Sequence, residues 1–416
     1  FEIPRTIRNG QLYALESTNW DPDVVTSTGT YNPADSTTLS GLSNAAQIQP
    51  GSLVTGNGVG REVYVKDVNV SAGTLTLSQP LYGPNSTQSY TFTRFKYALD
   101  FHGFERLSVF TLQNIEFQMR KFGSGILLPR SGLSFKVKDS YFNRPANRAI
   151  TSAGRGCQGM NVDRCLFAAP DQGEMAVDRT SVAINVNAND LKLRDCVFQR
   201  FGLSAILYGK NHLVLGNHMY QGDAVTGSAR TPGLVFSFQN PISIVDSNYF
   251  DNCYLEWTNE HDADPDFGSE YSFRSLNITS NNFIVDDTLA SFRFIVIKPY
   301  GTGHSISHFH VNQNIFRAAE GNIDRAEGVD TTFAELNPWS TRNVTFERNS
   351  FVAVNHPTSS PVVLEFQQNT NLTTWTLDAS AYLPFDGNAR TVSAIVAEGD
   401  ILNASGAKVT DMPNVK

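Results

Sequence analysis

The chain has 416 residues, 32 Lys plus Arg against 40 Asp plus Glu, and a formal net charge of −8. That balance leaves no basic run suited to gripping nucleic acid, and no apolar run approaches the roughly 18 residues of a membrane span. The mild negative charge also means that an acidic polymer must be met by a local patch rather than by the whole surface.

The sequence begins at Phe1 without Met, and its opening, IPRTIRNGQLYAL, already reads as one coil through Ile7, Asn9 and Leu12. Residues 1–20 are therefore expected to be the first coil of a structure continuing from a longer parent. Residues 21–97 break the pattern. Val63, Val65 and Val68 alternate, a turn follows at Ser71 to Gly73, and Leu75 and Leu77 alternate again, which predicts a small antiparallel β-meander insert.

From residue 98 to 368 one phrase recurs nine times: apolar, any, apolar, any, polar, any, any, aromatic. The copies are FTLQNIEF, FKVKDSYF, MNVDRCLF, LKLRDCVF, LVLGNHMY, ISIVDSNY, LNITSNNF, FHVNQNIF and VTFERNSF, with aromatic anchors at Phe117, Phe142, Phe167, Phe198, Tyr220, Tyr249, Phe283, Phe316 and Phe351. The mean interval of about 29 residues falls in the range of stacked repeats. Each copy opens with strict alternation, a strand period. The chain should then bend at the polar position, where Asn and Asp tolerate left-handed geometry. A second short apolar run follows, such as Val182 to Ile184 or Leu255 to Trp257.

One such coil cannot bury its apolar face alone, but stacked coils bury a continuous core and pair every strand with its neighbours. The expected fold is all-β, a parallel β-helix, right-handed by the general preference of parallel crossovers. The fixed consensus of leucine-rich repeats is absent. Residues 369–416 alternate again (TWTL, SAIVAEGDIL) and are expected to form a β-rich cap over the open end. Cys157, Cys165, Cys196 and Cys253 have no metal spacing. Free buried thiols are expected, with Cys165 stacked on Cys196.

The coil pattern, the SLVTGNGVGREVYVKDVN insert and the LDFHGF segment that opens the stack together resemble the pectate-lyase-like right-handed β-helices. Within them the chain resembles proteins related to glycoside hydrolase family twenty-eight, found as tailspikes and tail fibres of phages and phage-like particles of alphaproteobacteria. The resemblance implies a polysaccharide ligand, a homotrimer, an extracellular or virion-tail location and contacts with other tail proteins through an N-terminal part. It does not fix the chemistry, since such folds carry lyases, hydrolases and inactive binders.

The charged residues concentrate in NCYLEWTNEHDADPDFGSE, Asn252 to Glu270. With Leu255 and Trp257 inward, Tyr254, Glu256 and Thr258 face outward, followed by Glu260, His261 and Asp262 in a loop. Carboxylates on neighbouring coils fall at separations of about 5 Å or more, the range used by glycosidases. Glu256 with Glu260 or Asp262 is the expected acid and base pair. Tyr254 and Trp257 are expected to form the groove, and Lys298, His261 and His304 to bind or orient substrate, with Asp223 and Glu365 as further wall carboxylates. Lys298 is the base in an alternative lyase reading. A non-catalytic adhesin would use the same groove. No cofactor is expected, although Asp262, Asp264, Asp266 and Gly268 resemble a calcium loop that lacks its final Glu.

Overall fold

The structure, a computed structural model, describes residues 5–83, 85–222, 227–266, 272–368 and 372–411. The chain winds as a parallel β-helix. In a typical coil Leu213–Leu215, a bend and His218–Tyr220 make one wall, and after a loop Pro232–Phe236 makes the second. Successive coils pair in parallel at the same position: Val137 lies over Val162, Val162 over Leu193, Leu193 over Val214, Val214 over Val245 and Val245 over Ile278. Among the described residues the second wall has nine strands, running from Tyr97–Asp100 through Arg148–Thr151, Pro232–Phe236, Tyr254–Thr258 and Ile295–Lys298 to Glu327–Val329.

Inside, the aromatic anchors form a ladder. Phe117, Phe142, Phe167 and Phe198 stack at 4.4, 4.8 and 4.8 Å between ring centroids, and Phe250, Phe283 and Phe316 continue at 4.5 and 5.0 Å. Such ring pairs each contribute about 0.5–1.5 kcal/mol beyond their buried area. Two anchors differ from expectation. Phe198 pairs with Met219 and Met219 with Phe250, so Tyr220 and Tyr249 lie outside the core. Each stands next to the residue that fills the rung, and a one-residue slip turns a strand residue to the opposite face.

The bend falls at the polar position in seven of the nine copies, where Asn114, Asp139, Arg164, Asp195, Ser280, Gln313 and Arg348 have φ between 51° and 59°. In the two copies with misplaced anchors it falls one residue before the polar Asn217, at Gly216 (67°), and one residue after the polar Asp246, at Ser247 (57°). The next residue points inward, where Cys165 and Cys196 give way to an asparagine ladder. The Cys165 amide donates to Cys196 Sγ at 3.4 Å, and the four cysteines are buried free thiols. Farther along, Asn217 Nδ2 donates to Asn248 Oδ1, Asn248 Nδ2 to Asn281 Oδ1 and Asn281 Nδ2 to Asn314 Oδ1, at 2.9, 3.0 and 3.0 Å.

The insert is an antiparallel sheet in which Asp23–Tyr31 pairs with Thr87–Arg94 and Thr38–Ser40, over its own core of Tyr31, Leu39, Val63, Tyr90 and Phe92. It leans on the nine-stranded wall. Arg148 donates to both Glu62 oxygens at 2.7 and 2.9 Å, and the Tyr64 hydroxyl to Glu62 at 2.6 Å. The tail differs from the expected β-rich cap. The described residues 372–411 hold only two short 3-10 turns, Ser380–Tyr382 and Pro384–Asp386, and an isolated Leu402 to Lys408 bridge. Alternation makes a strand only where an edge is offered, and here just Phe385 reaches the core, against Phe309 and Phe346 at 6.0 Å each. No helix among the described residues is long and apolar enough to cross a membrane.

Candidate functional site

The strand Tyr254–Thr258 carries the wall residues singled out by sequence, but the insert covers part of it. Glu256 and Glu260 are buried, at 4% and 1% exposure, and both are held by Arg61 of the insert. The Arg61 amide donates to Glu260 Oε2 at 2.8 Å, its Nη2 to Glu260 Oε1 at 2.7 Å, and the same Nη2 pairs with Glu256 Oε1. The close approach depends on Gly60: a Cβ there would lie 2.7 Å from the His261 ring and 2.8 Å from the Glu260 carbonyl. Burial alone would raise the Glu260 carboxyl, but the charge and hydrogen bonds of Arg61 outweigh it and hold the group below its usual value. Glu260 is therefore ionised and its lone pairs are occupied.

His261 is buried between Ser237 Oγ at 2.9 Å and the Arg61 carbonyl at 2.7 Å. Burial lowers its pKa, so it joins the insert to the wall as a neutral imidazole. Asp262 turns to Gln239 of the preceding coil, and its other oxygen accepts from the Asp264 amide at 3.3 Å. Burial pushes its carboxyl up to about 6, which makes it the carboxyl of this loop best suited to carry a proton near neutral pH. Asp266 Oδ1 is taken by the Thr302 amide and hydroxyl at 2.7 and 2.9 Å, while Gly268 and Glu270 lie outside the described residues.

Several expectations need correction. Trp257 has no exposed surface; it packs on Phe273 and Phe309, with its indole N–H bonded to the Phe238 carbonyl at 2.9 Å. An inward strand position cannot also face a groove. His304 is likewise buried, bonded to the Pro265 carbonyl at 2.7 Å and edge-on to Phe273. Lys298, expected to bind substrate, pairs at 2.8 Å with Asp330 of the next coil, because the row that follows Lys298 continues beyond Val329. Glu365 lies on an exposed segment without strand structure, off the wall. Asp223 lies outside the described residues.

The structure adds groups that the sequence did not mark. Tyr82 of the insert meets Tyr300 edge-on at 4.7 Å, and Tyr300 stacks on Phe333 at 4.3 Å. Phe333 is 49% exposed and has the Lys298 ammonium 5.5 Å from its ring centre. The Tyr300 amide donates to Asn259 Oδ1 at 2.8 Å, which holds these rings next to the segment carrying Glu260, and burial and then Glu260 raise the Tyr300 hydroxyl well above its usual value. The seam between insert and wall thus joins a half-exposed aromatic cluster to two carboxylates sharing one guanidinium. The glycines of GNGVGRE were the available signal for Arg61, since glycine marks a close backbone approach.

No family model matches the sequence, and no curated protein matches it. Among solved structures the chain is similar to the tailspike gp61 of Pseudomonas phage phi297. The match covers 85% of this chain and 70% of that one, at 12% identity and a TM-score of 0.29. The parallel coil fold itself rests on the strand pairing of this chain.

Proposed function

We propose that the chain binds a polysaccharide along the seam between the insert and the nine-stranded wall. The observation that carries this reading is the Tyr82, Tyr300 and Phe333 cluster beside the Arg61, Glu256 and Glu260 group. Sugar rings offer apolar C–H faces to aromatic side chains and hydroxyls to fixed polar groups, and a seam that presents both suits them. Phe333→Ala or Tyr300→Ala should weaken binding of the host glycan by about tenfold, roughly 1.4 kcal/mol, with the melting temperature nearly kept for the half-exposed Phe333. Unchanged affinity in both variants would sink the reading.

Cleavage is the second reading, favoured by the raised carboxyl of Asp262. Asp262 then serves as the acid and Glu256 as its partner, as glycoside hydrolysis requires of a carboxyl pair. Reducing-end release that falls on the order of a hundredfold in Glu256→Gln and Asp262→Asn, with binding kept, supports it. An unsaturated, ultraviolet-absorbing product would instead point to elimination by Lys298. Binding without either product leaves the adhesin reading.

The proposed setting is a homotrimer on the tail of a phage or phage-like particle. Its support is the sequence resemblance, and the exposed apolar side chains of the tail, Val363 at 95%, Val396 at 80% and Leu372 at 67%, are surface that a neighbouring copy could cover. Light scattering tests it, with a monomer counting against assembly.

A further inference from the structure

Charge is unevenly spread along the solenoid. Residues 98–200 hold 14 Lys plus Arg against 10 Asp plus Glu, a net +4, whereas residues 201–416 hold 12 against 23, a net −11. Part of the positive charge of the first coils stands on one face, the outside of the wall that carries Leu213–Leu215 farther along. Val137, Val162 and Leu193 fill the core there, so the residues that alternate with them point out. Two outward rows result: Thr111, Lys136, Asn161 and Lys192 in one, and Arg8, Gln113, Lys138, Asp163 and Arg194 in the other.

The acids within these rows and at their bend are used. Arg164 donates to Asp139 at 2.7 Å and to Asp163 at 2.8 Å, and Arg194 stands 3.6 Å from Asp163. Lys136, Lys138 and Lys192 have no ion pair among the described residues, and Arg8 and Lys192 are exposed. Strand and coil spacing fix the three lysine stems in a flat array, about 7 Å apart along a strand and about 10 Å apart across two coils. Two apolar side chains at the edge of the array are open to water. They are Val109 and Leu133, 40% and 49% exposed, whose backbones are joined by the Val109 amide to the Leu133 carbonyl at 2.8 Å.

We infer that this face docks on a lipid surface bearing anionic phosphate headgroups. A flat, rigid array of cations matches charges spread over a plane, and an apolar rim supplies side chains that enter the boundary between headgroups and acyl chains. A flexible polyanion in water would make no use of the exposed Val109 and Leu133. The acidic coils beyond residue 200 are repelled by the same surface, so the solenoid docks by its first coils with the last ones turned away. The site lies on a different wall from the seam, and the inference does not depend on glycan binding.

Vesicle flotation on the whole chain tests it, with vesicles of equal parts phosphatidylglycerol and phosphatidylcholine against vesicles of phosphatidylcholine alone. The chain should float with the anionic vesicles only, and less as salt is raised. Lys136→Gln, Lys138→Gln and Lys192→Gln together should weaken binding by about a hundredfold, since each cation near such a surface weighs about fivefold, with the melting temperature kept. Leu133→Ser should weaken it severalfold. Arg317→Gln, Arg342→Gln and Arg348→Gln together remove the same charge from the last coils and should bind as the parent does. No flotation, equal flotation with both vesicles, or unchanged binding in either the lysine variant or Leu133→Ser overturns the inference. So does an equal loss in the last-coil variant, which would make net charge rather than this face the cause. Release by inorganic phosphate at constant ionic strength also overturns it, in favour of a site for the free anion.

Discussion

Arg61 and Glu260 stand 199 residues apart in sequence and are joined through both the backbone amide and the guanidinium of Arg61, at 2.8 and 2.7 Å. Arg61→Ala would leave two buried carboxylates without their cation, a change that typically costs about 3–5 kcal/mol. Denaturant melts should show this loss, with the insert the first part to lose protection in hydrogen exchange. The sign in acid follows from the lowered Glu260 pKa: its contribution is present above the ordinary value of 4.5 and is lost as pH falls through the lower folded value. The gap between variant and parent should therefore narrow in acid.

Asp262 has the opposite sign. Its carboxyl is raised from 3.8 to about 6, so the stability linked to it is fully present below pH 3.8 and is lost as pH rises through about 6. Asp262→Asn cannot ionise and should melt higher than the parent above pH 6, with the advantage gone below pH 3.8. A melting-temperature series across that window checks it; a constant difference would rule out the assignment.

Asn281→Ala should be severe for a small substitution. Asn281 Oδ1 accepts from the Asn248 amide and side chain at 2.9 and 3.0 Å, and its Nδ2 donates to the Val245 carbonyl at 3.0 Å. Each buried polar group left unpaired costs about 1–3 kcal/mol, so a total of about 3 kcal/mol or more is expected. Equilibrium unfolding measures it directly.

Trp257→Phe should lower stability by about 1–3 kcal/mol, through the lost indole bond to Phe238 and the space left in the core. Glycan affinity should not change. A loss of binding with full stability would contradict the buried position of this ring.

The coils were legible because their information is local: alternation, a polar bend residue and an aromatic anchor all fall within eight residues. The two misplaced anchors show the limit. In HLVLGNHMY and SIVDSNYF an aromatic and a core residue are adjacent, and only pairing with the coils above and below decides that Met219 and Phe250 go inside. His212, at the inward position that begins its copy, is fully buried, and burial lowers its pKa to about 4. Glu256, Glu260 and His261 were visible as a cluster, but their partner was not. Arg61 carries no periodic signal, and the contact is set by where the insert comes to rest. The same holds for Tyr82 and Phe333, which reach Tyr300 from an insert and from a loop rather than from a repeat.

Arg61 and Glu62 are neighbours in sequence, yet they fasten to strands four steps apart in the wall, Tyr254–Thr258 and Arg148–Thr151. A stack of coils under tension along its axis opens at its weakest junction, and each junction between these two strands is bridged from outside by the same rivet. Separating any of them also requires breaking an arginine–carboxylate bond. Load arriving from either end is thus shared over the middle of the solenoid, and rupture is displaced toward the coils that the insert does not span.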